Sequence, residues 1–498
     1  MIRKITALTF FILLSIPFTL TAKVIYVNGS YSGTTEDGTS WATPYKTIDT
    51  AIAKAAAGDE IWVAKGNYVA PSKASLQGIY IHKDLTIIGG FNGDETSVFL
   101  RDFEGNKTIL EADNSGENIS TRIFSIDPNI ILSLDGLSFT NFHSAITEHY
   151  DTLTSSVSIQ IGDRYNLKIN NCKFDNGVNS IQFGYFSNLE ISNTEFNNAG
   201  RIYIDEYLKP GDIEVSDVLI QNCVIKNYPE KHFLIINKPA QIKVIGSSFL
   251  NNNTGSSTFM VFENCDIEFF QCAFENNSGS NQLMVFLTCN VKFSQCTFQN
   301  NYELKLFLTT FGSKKLDIND CLFKNNTNQG SGLMTVEDNE TEFFIRNSTF
   351  ESNATRLVYS VTSNIKILNT NFINNTNANL GVTGGHMLIL TPNNPNSNIE
   401  IEGSKFINNK IEKGFIGLIG GDGLKLKIFE SEFKGNEVTE INAAFFFYLG
   451  SIQMDNCIFE GNRNPFDNFL KIDAAAGNVT HSYINNTKFL NNTANTSG

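Results

Sequence analysis

The sequence has little proline, no excess of basic side chains and no long apolar run beyond its N-terminus. Only 10 of its 498 residues are proline and no Pro/Ser-rich linker interrupts it, so one long architecture is expected. A net charge of −14 argues against a nucleic-acid binder. Later apolar runs fall short of about 18 residues, so no transmembrane helix is expected in the mature chain. A hydrophobic content of 41% excludes disorder as the dominant state.

Metal-ligand patterns are also missing. The sequence contains no CxxC pair, no His/Cys cluster and no Asp-rich calcium loop. Zinc and calcium sites are usually built from such patterns. We therefore expect no metal and no other cofactor.

The N-terminus has the layout of a secretory signal peptide. Arg3 and Lys4 precede an apolar run over residues 5–16, and small residues follow up to Ala22. This pattern predicts export with cleavage after Ala22, because an N-terminal membrane anchor would need a longer apolar run. The protein is therefore expected in the extracellular space or on the outer-membrane surface of a Gram-negative bacterium.

A sequence repeat recurs from residue 132 to the end, and each copy contains one aromatic residue that we call the anchor. The repeat has fourteen copies, and the most regular steps between anchors are 24 or 25 residues. Ile225 replaces the aromatic residue in one copy. The other anchors, which should form one structural ladder, are Phe139, Phe174, Phe196, Phe249, Phe274, Phe298, Phe323, Phe350, Phe372, Phe406, Phe433, Phe459 and Phe489.

The positions before the anchor indicate two strands and a bend. The residue five positions before is always apolar and that seven before is apolar except at Ser482, so both lie on one strand face. The residue two positions before the anchor is Cys, Ser or Thr, except at Leu137. Side chains alternate along a straight strand, so the residue two positions before the anchor cannot face inward together with those five and seven before it. A bend must therefore lie between them. Position three before the anchor is mostly Asn, Asp, Gln or Gly, and Asn and Gly tolerate a left-handed backbone.

This repeat predicts an all-β fold in which each coil is one turn of a parallel β-helix. Two short strands meet at the bend, Asn-Asn pairs mark the next corner, and apolar runs such as 259–262 and 283–287 supply a third strand. Stacked coils would place like residues on like residues about 4.8 Å apart. Leucine-rich repeats, the alternative at this period, need a Leu/Asn pattern that is absent.

The eight cysteines follow the repeat. Cys265 and Cys289 share one register and should stack on each other. The other six occupy the position two before the anchor, where other copies have Ser or Thr: Cys172, Cys223, Cys272, Cys296, Cys321 and Cys457. This exchange with small residues predicts buried and mostly unpaired thiols. One or two disulfides between adjacent coils are the alternative.

One helix is predicted, over residues 43–58. Thr43 would cap it, Pro44 fits its first turn and Gly58 would end it. Its apolar stripe would comprise Ile48, Ala51, Ile52, Ala55 and Ala56. Such an amphipathic helix would cap the open edge of the first coil. The predicted division is 1–22 as signal peptide, 23–131 as N-terminal cap and first coils, and 132–498 as repeat coils of the same β-helix.

Several motifs resemble those of secreted bacterial β-helix proteins. They are Ile-Tyr-Val-Asn at 25–28, Asp-Gly-Thr-Ser-Trp at 37–41 and Gly-Asp-Glu-Ile-Trp-Val-Ala at 58–64. Ile-Ile-Gly-Gly-Phe-Asn-Gly-Asp-Glu-Thr at 87–96 is similar to surface proteins common among Bacteroidetes, and the later Phe-x-x-Asn copies resemble half of the repeat of chlamydial polymorphic outer membrane proteins. The resemblance implies a right-handed, single-stranded parallel β-helix of the pectin-lyase-like superfamily, displayed on the cell surface.

The resemblance also raises an alternative function, because this superfamily includes polysaccharide-active enzymes. The resemblance implies paired aspartates with Gly-His-Gly and Arg-Ile-Lys motifs for its hydrolases, and this sequence lacks both motifs. A lyase needs an Arg or Lys base with several carboxylates from adjacent coils, and no stacked Asp/Glu set is found at one register. We therefore expect a non-catalytic adhesion or carbohydrate-binding or partner-binding module. A cleft lined by Lys or Arg and carboxylates from successive coils would instead favour a polysaccharide lyase.

The strongest surface candidate for carbohydrate binding follows the anchor Phe196. Ile202 and Ile204 should face the core, so four side chains should project outward on one strip: Arg201, Tyr203, Asp205 and Tyr207. Exposed tyrosines beside charges can stack on and hydrogen-bond to saccharides. Ordinary surface decoration is the alternative. The expected partner is an extracellular polysaccharide or a surface protein.

The final copy is followed only by residues 493–498, with no amphipathic segment to cover the last coil. A bare parallel edge invites aggregation. The sequence is therefore expected to be a fragment of a longer protein, or its last coil to be covered by a partner.

Overall fold

In the computed structural model, the chain winds into coils whose strands pair in parallel from one coil to the next. The predicted all-β parallel β-helix is confirmed. The predicted signal peptide lies outside the described residues apart from Ala22. The structure describes residues 22–70, 78–112, 122–148, 165–183, 188–205, 216–229, 232–338, 340–362, 364–377, 385–390, 398–412, 414–439, 445–465, 470–473 and 481–494.

Sheet 2 carries the anchors and has sixteen strands among the described residues. Most span three residues, with the anchor in the middle facing inward. Its strands are Gly66–Ala70, Thr108–Ala112, Leu137–Thr140, Lys173–Asp175, Glu195–Asn197, Val224–Lys226, Ser248–Leu250, Ala273–Glu275, Thr297–Gln299, Leu322–Lys324, Thr349–Glu351, Asn371–Ile373, Lys405–Ile407, Glu432–Lys434, Ile458–Glu460 and Lys488–Leu490.

Sheet 1 contains the strands that precede the anchors. It is continuous across residue 131, because Leu85–Phe91 pairs with Ile131–Asp135. Its strands are Val24–Val27, Asp59–Ala64, Leu85–Phe91, Ile131–Asp135, Asn166–Asn170, Asn188–Ser192, Ser216–Gln221, Leu234–Ile245, Met260–Phe270, Asn290–Ser294, Lys315–Asn319, Glu342–Arg346, Asn364–Leu368, Asn398–Glu402, Gly414–Phe429, Phe445–Asp455 and Tyr483–Asn485.

Sheet 3 contains the third strand of each coil. Four long strands turn the corner from sheet 3 into sheet 1 and so belong to both: Leu234–Ile245, Met260–Phe270, Gly414–Phe429 and Phe445–Asp455. The others are Ile79–Ile81, Arg122–Ile126, Ser144–Glu148, Asn179–Phe183, Arg201–Asp205, Gln282–Leu287, Leu304–Phe311, Asn328–Val336, Val358–Ser360, His386–Leu390 and Leu470–Asp473. A small fourth sheet joins Lys410–Ile411, Glu437–Val438, Arg463–Asn464 and Thr493–Ala494.

The corners on both sides of each anchor use a left-handed backbone. Three positions before the anchor, φ is 50° at Asn171, 55° at Gln295 and 59° at Gly403. Two positions after the anchor, it is 55° at Asn276 and 53° at Asn300. Asn and Gly predominate there because they enter this region at low cost. The predicted bend is therefore confirmed.

The anchor rings form a stacked column inside the coils. Phe298 is fully buried, and its ring centroid lies 4.8 Å from that of Phe274 and 4.5 Å from that of Phe323. The column is interrupted at Ile225, where Phe233, just before the strand Leu234–Ile245, contacts both neighbouring anchors, Phe196 and Phe249. A ring from outside the column thus packs against both anchors where the smaller Ile225 interrupts the stack.

A column of asparagines runs beside the rings, three positions after each anchor from Phe249 onward. In Asn326, the side-chain amide donates to the carbonyl of Phe298 and to Oδ1 of Asn353, both at 2.9 Å. Its own Oδ1 accepts from the backbone and side chain of Asn301. The same pattern joins Asn252 through Asn492. Every rung is therefore satisfied, as buried polar groups require.

The cysteines lie at two registers, six of them two positions before the anchor and Cys265 with Cys289 at the other register, and all are buried and unpaired, which confirms that prediction. The backbone amide of Cys265 donates to Sγ of Cys289, so these two residues do stack between adjacent coils. Burial raises the pKa of the Cys172 thiol to about 12 and that of Cys223 to about 11. These thiols therefore stay protonated at neutral pH and act as small core side chains.

The predicted helix is shorter than expected. It spans Ile48–Lys54, and its cap is Thr47, whose hydroxyl accepts from the amide of Thr50. Tyr45 is extended because its backbone pairs with Tyr26 and Asn28, so Thr43 and Pro44 lie outside the helix. The predicted stripe residues Ile48, Ala51, Ile52 and Ala55 are buried, but Ala56 lies beyond the helix and is exposed.

The helix packs against the first coils. It contacts the strands Val24–Val27, Asp59–Ala64 and Ile79–Ile81. At its end, Lys83 donates to the carbonyls of Ile52 and Ala55, a favourable place for a cation. Among the described residues, no helix is long and apolar enough to cross a membrane.

Replacing one anchor tests the ring column. Phe298→Ala should lower the free energy of unfolding by about 3–5 kcal/mol, because it leaves a cavity between two stacked rings. Thr297→Ala, at the neighbouring outward position, is the control and should cost less than about 1 kcal/mol. Chemical denaturation of the purified mature chain measures both. Equal stability of Phe298→Ala and the parent would contradict the register.

Thiol titration tests the cysteine column. In the folded mature chain none of the eight cysteines should react with Ellman's reagent, and all eight should react after denaturation without reductant. Fewer than eight in the denatured chain would show disulfides between coils. Rapid reaction in the folded state would show that the column is exposed.

Candidate binding groove on sheet 1

A shallow groove of about 220 Å³ crosses four coils on the outer face of sheet 1. Its outward side chains form two rows because the strands pair in register. The first row is Gln241, Asp266, Asn290 and Lys315, and the second row is Lys243, Glu268, Lys292 and Asp317. Neighbouring members of a row lie on adjacent strands, about 4.8 Å apart.

The first row is held by amide–carboxylate hydrogen bonds. Gln241 donates to one carboxylate oxygen of Asp266 at 2.7 Å, and Asn290 donates to the other at 2.6 Å. Both oxygens of Asp266 are therefore occupied, and this row forms a fixed polar rim.

The second row alternates in charge. Lys292 pairs with Glu268 at 2.7 Å. Only 4% of the Asp317 side chain is exposed. Its Oδ2 atom forms an ion pair with Arg346 and a longer one with Lys315, at 3.8 Å. Its other oxygen, Oδ1, is buried and has no hydrogen-bond partner. An unpartnered buried carboxylate oxygen is costly, so this atom has unused capacity to accept a hydrogen bond.

A second polar atom without a partner belongs to Arg346, which pairs with Asp317. Its Nε is buried without a hydrogen-bond partner. Phe344 continues the second row after Asp317, and the cations of Lys315 and Arg346 lie 5.5 and 5.7 Å from its ring centroid. This end of the groove thus combines an acceptor, a donor and an aromatic ring.

The lining of the groove bears directly on the lyase alternative. Three lysines and three carboxylates from successive coils line it, which is the feature expected of a lyase cleft. Glu268 and Asp317 share one row and are separated by Lys292, so acidic side chains do occur at one register, contrary to the expectation from the sequence. Among the described residues, no group of three or more His, Cys, Asp or Glu side chains could hold a metal ion.

The candidate strip around Tyr203 lies on sheet 3, away from the groove. Ile202 and Ile204 are fully buried, and Arg201 and Tyr203 are half-buried. The guanidinium carbon of Arg201 lies 4.6 Å from the centroid of the Tyr203 ring, so one face of this ring is already covered. Nε of Arg201 donates to Asn179.

The rest of this strip is not described by the structure. Asp205 ends the strand Arg201–Asp205, but its side chain is not among the described ones. Tyr207 lies outside the described residues. A carbohydrate-binding role for Arg201, Tyr203, Asp205 and Tyr207 stays a prediction.

The second row of the groove has a signal in the sequence, because its residues share one position of the repeat. The second row occupies the position six before each anchor, between two apolar positions that face inward. Alternation along a strand places this position outward. In five successive copies of the repeat, the residues at this position are Lys243, Glu268, Lys292, Asp317 and Phe344. The unpaired Oδ1 of Asp317 has no such signal, because it depends on three-dimensional contacts.

A comparison with protein families supports the fold. Residues 206–341 match a family model described as right-handed beta helix region, and residues 31–269 match one described as a protein of unknown function (DUF1565). No curated protein matches the chain.

Solved structures with similar coils include a tailspike, an adhesin and an epimerase. Tailspike protein 3 of bacteriophage CBA120 is 10% identical with a TM-score of 0.34; the match covers 93% of this chain but only 61% of the tailspike. The Streptococcus pneumoniae surface protein and adhesin PfbA is 11% identical with a TM-score of 0.29, covering 95% and 99%. The A-module of the Azotobacter vinelandii mannuronan C-5 epimerase AlgE4 is 11% identical with a TM-score of 0.24, covering 92% and 99%.

These identities and TM-scores are too low to link the chain to any one of these activities. The fold itself follows from the parallel pairing of successive coils together with the matching family model. The chain is a right-handed parallel β-helix.

Proposed function

We propose that this protein is an exported, non-catalytic module that binds a polysaccharide in the groove on sheet 1. The observation that carries the proposal is the groove itself, in which two rows of outward amide, carboxylate and ammonium groups from four successive coils lie side by side. The signal-peptide pattern at the N-terminus supports export to the cell surface or the medium.

The shape of the groove suits a chain-like ligand. Its rows run along the stack and present an amide, a carboxylate or an ammonium group about every 4.8 Å. Sugar hydroxyls both donate and accept hydrogen bonds, so a mixed lining can bind successive rings of a polysaccharide. The groove is shallow and open, which leaves room for the chain to enter and leave at both ends.

The ion pairs in the groove favour binding over catalysis. A lyase base must accept a proton from the substrate, and the ammonium group of an ion-paired lysine has no lone pair to accept one. Lys292 is held by Glu268 at 2.7 Å, and Arg346 is held by Asp317. A polysaccharide lyase is the second candidate, because lysines and carboxylates from successive coils do line the groove.

Removing the central ion pair tests the binding site. Replacing Lys292 and Glu268 together by alanine should weaken binding to the glycans recognised on a glycan array by about tenfold or more, because two charged hydrogen-bonding groups are lost. The matched control replaces Lys366 and Glu400, a pair at 3.4 Å in the same row but outside the groove. Equal loss in both double variants would contradict the assignment.

Product assays test the absence of catalysis. Pectate, alginate and common neutral glycans should yield neither unsaturated uronates, followed by ultraviolet absorbance, nor new reducing ends. Lys292 and Arg346 are held as cations by Glu268 and Asp317, so neither offers a lone pair that could take a proton from the substrate. Product release by the parent that is lost in Lys292→Ala would make the lyase the first candidate.

A further inference from the structure

We propose that Phe99 and Leu100 form a second interaction surface, which docks into an apolar pocket with a basic rim on a partner protein. Both residues belong to the short 3₁₀ helix Val98–Leu100, which follows the sheet 1 strand Leu85–Phe91 and precedes the sheet 2 strand Thr108–Ala112. The inference is independent of the proposed function, because this surface lies outside the groove.

The first argument is the exposure of the two side chains. Phe99 is 93% exposed and Leu100 is 63% exposed, and they are the two most exposed large hydrophobic residues in the described part of the chain. Single apolar residues are common on protein surfaces, whereas neighbouring ones of this size mark a contact site. Large side chains that fill a partner's pocket carry much of the binding energy of protein interfaces.

The second argument is that the fold holds these side chains outward. The hydroxyl of Ser97 caps the short helix by accepting a hydrogen bond from the backbone amide of Phe99. Val98, the remaining residue of the helix, faces the protein and packs against a buried cluster on the outer side of sheet 1. This cluster consists of Trp62, Ile88 and Phe91.

The chain that follows the short helix is fixed as well. The guanidinium of Arg101 donates to the carbonyl of Gly89 at 2.9 Å and pairs with Asp135 at 2.7 Å. The backbone amide of Asp102 donates to the carbonyl of Gly90. Phe99 and Leu100 therefore stand on a braced segment, and a braced anchor loses little conformational freedom when it binds.

The third argument is the charge of this segment. Residues 92–107 contain four acidic and two basic residues, and one of the two, Arg101, is already paired with Asp135. The exposed carboxylates of Asp94, Asp102 and Glu104 flank the apolar pair along the chain. A basic rim complements such a surface, whereas a second copy of this chain or an anionic lipid layer would bring like charges together. The charge thus favours a basic protein partner.

The burial of the native cysteines allows a site-specific cross-linking test. Thr96→Cys places one exposed thiol beside the surface, while the eight native thiols are buried. The mature chain would be labelled there with a benzophenone maleimide and irradiated together with the envelope proteins of the producing bacterium. One protein should be cross-linked and identified by mass spectrometry. The added changes Phe99→Ser and Leu100→Ser should abolish this cross-link. Val69→Ser, which alters another exposed apolar residue on sheet 2, is the control and should retain it.

Calorimetry with the purified partner completes the test. Phe99→Ser should weaken its binding by about tenfold or more, because the anchor is lost, whereas Val69→Ser should bind like the parent. Raising the salt concentration to about 0.5 M should also weaken binding, because it screens the basic rim. Cross-linking to a second copy of this chain, to lipid or to nothing would overturn the inference. Equal affinity of Phe99→Ser and the parent would overturn it as well, and each of these results would leave the polysaccharide-binding groove unaffected.

Discussion

In-register stacking of the coils is the constraint on which the rest of the structure depends. Because each strand pairs with its counterpart one coil away, a residue chosen at one repeat position is repeated about every 4.8 Å. A phenylalanine therefore meets a phenylalanine, and an asparagine amide meets the next asparagine oxygen. A shift by one residue would break the ring column and leave the buried amides unpaired, so both columns enforce the same register.

The periodicity of the sequence was sufficient to predict the inner side of the fold. The constant apolar position five before the anchor, the small position two before it and the bend between them all lie where the repeat indicates. Inward positions must fill a closed space, so few residue types fit and the pattern is easy to see. The asparagine column is equally visible in the sequence, three positions after each anchor from Phe249 onward, but its continuous hydrogen bonding emerges only from the structure.

The regions without a repeat were predicted less well. The residues around Thr43 have the composition of a helix start, yet the pairing of Tyr45 with the first strand delays the helix to Ile48. The groove was missed because outward positions carry no constant residue type. Lys243, Glu268, Lys292 and Asp317 differ from one another, and only their shared register makes them one site. The outer rows can therefore change without disturbing the core.

Lysine acetylation footprinting in the presence of a bound glycan tests the central claim most directly, namely that the outer face of sheet 1 binds the ligand. The account predicts that the glycan protects Lys292 and Lys315 from acetylation, as read by mass spectrometry of peptides. Lys427, which occupies the same row as Lys292 outside the groove, should be acetylated at an unchanged rate. Protection of Lys427 alone, or no protection of Lys292 and Lys315 by a glycan that demonstrably binds, would contradict the account.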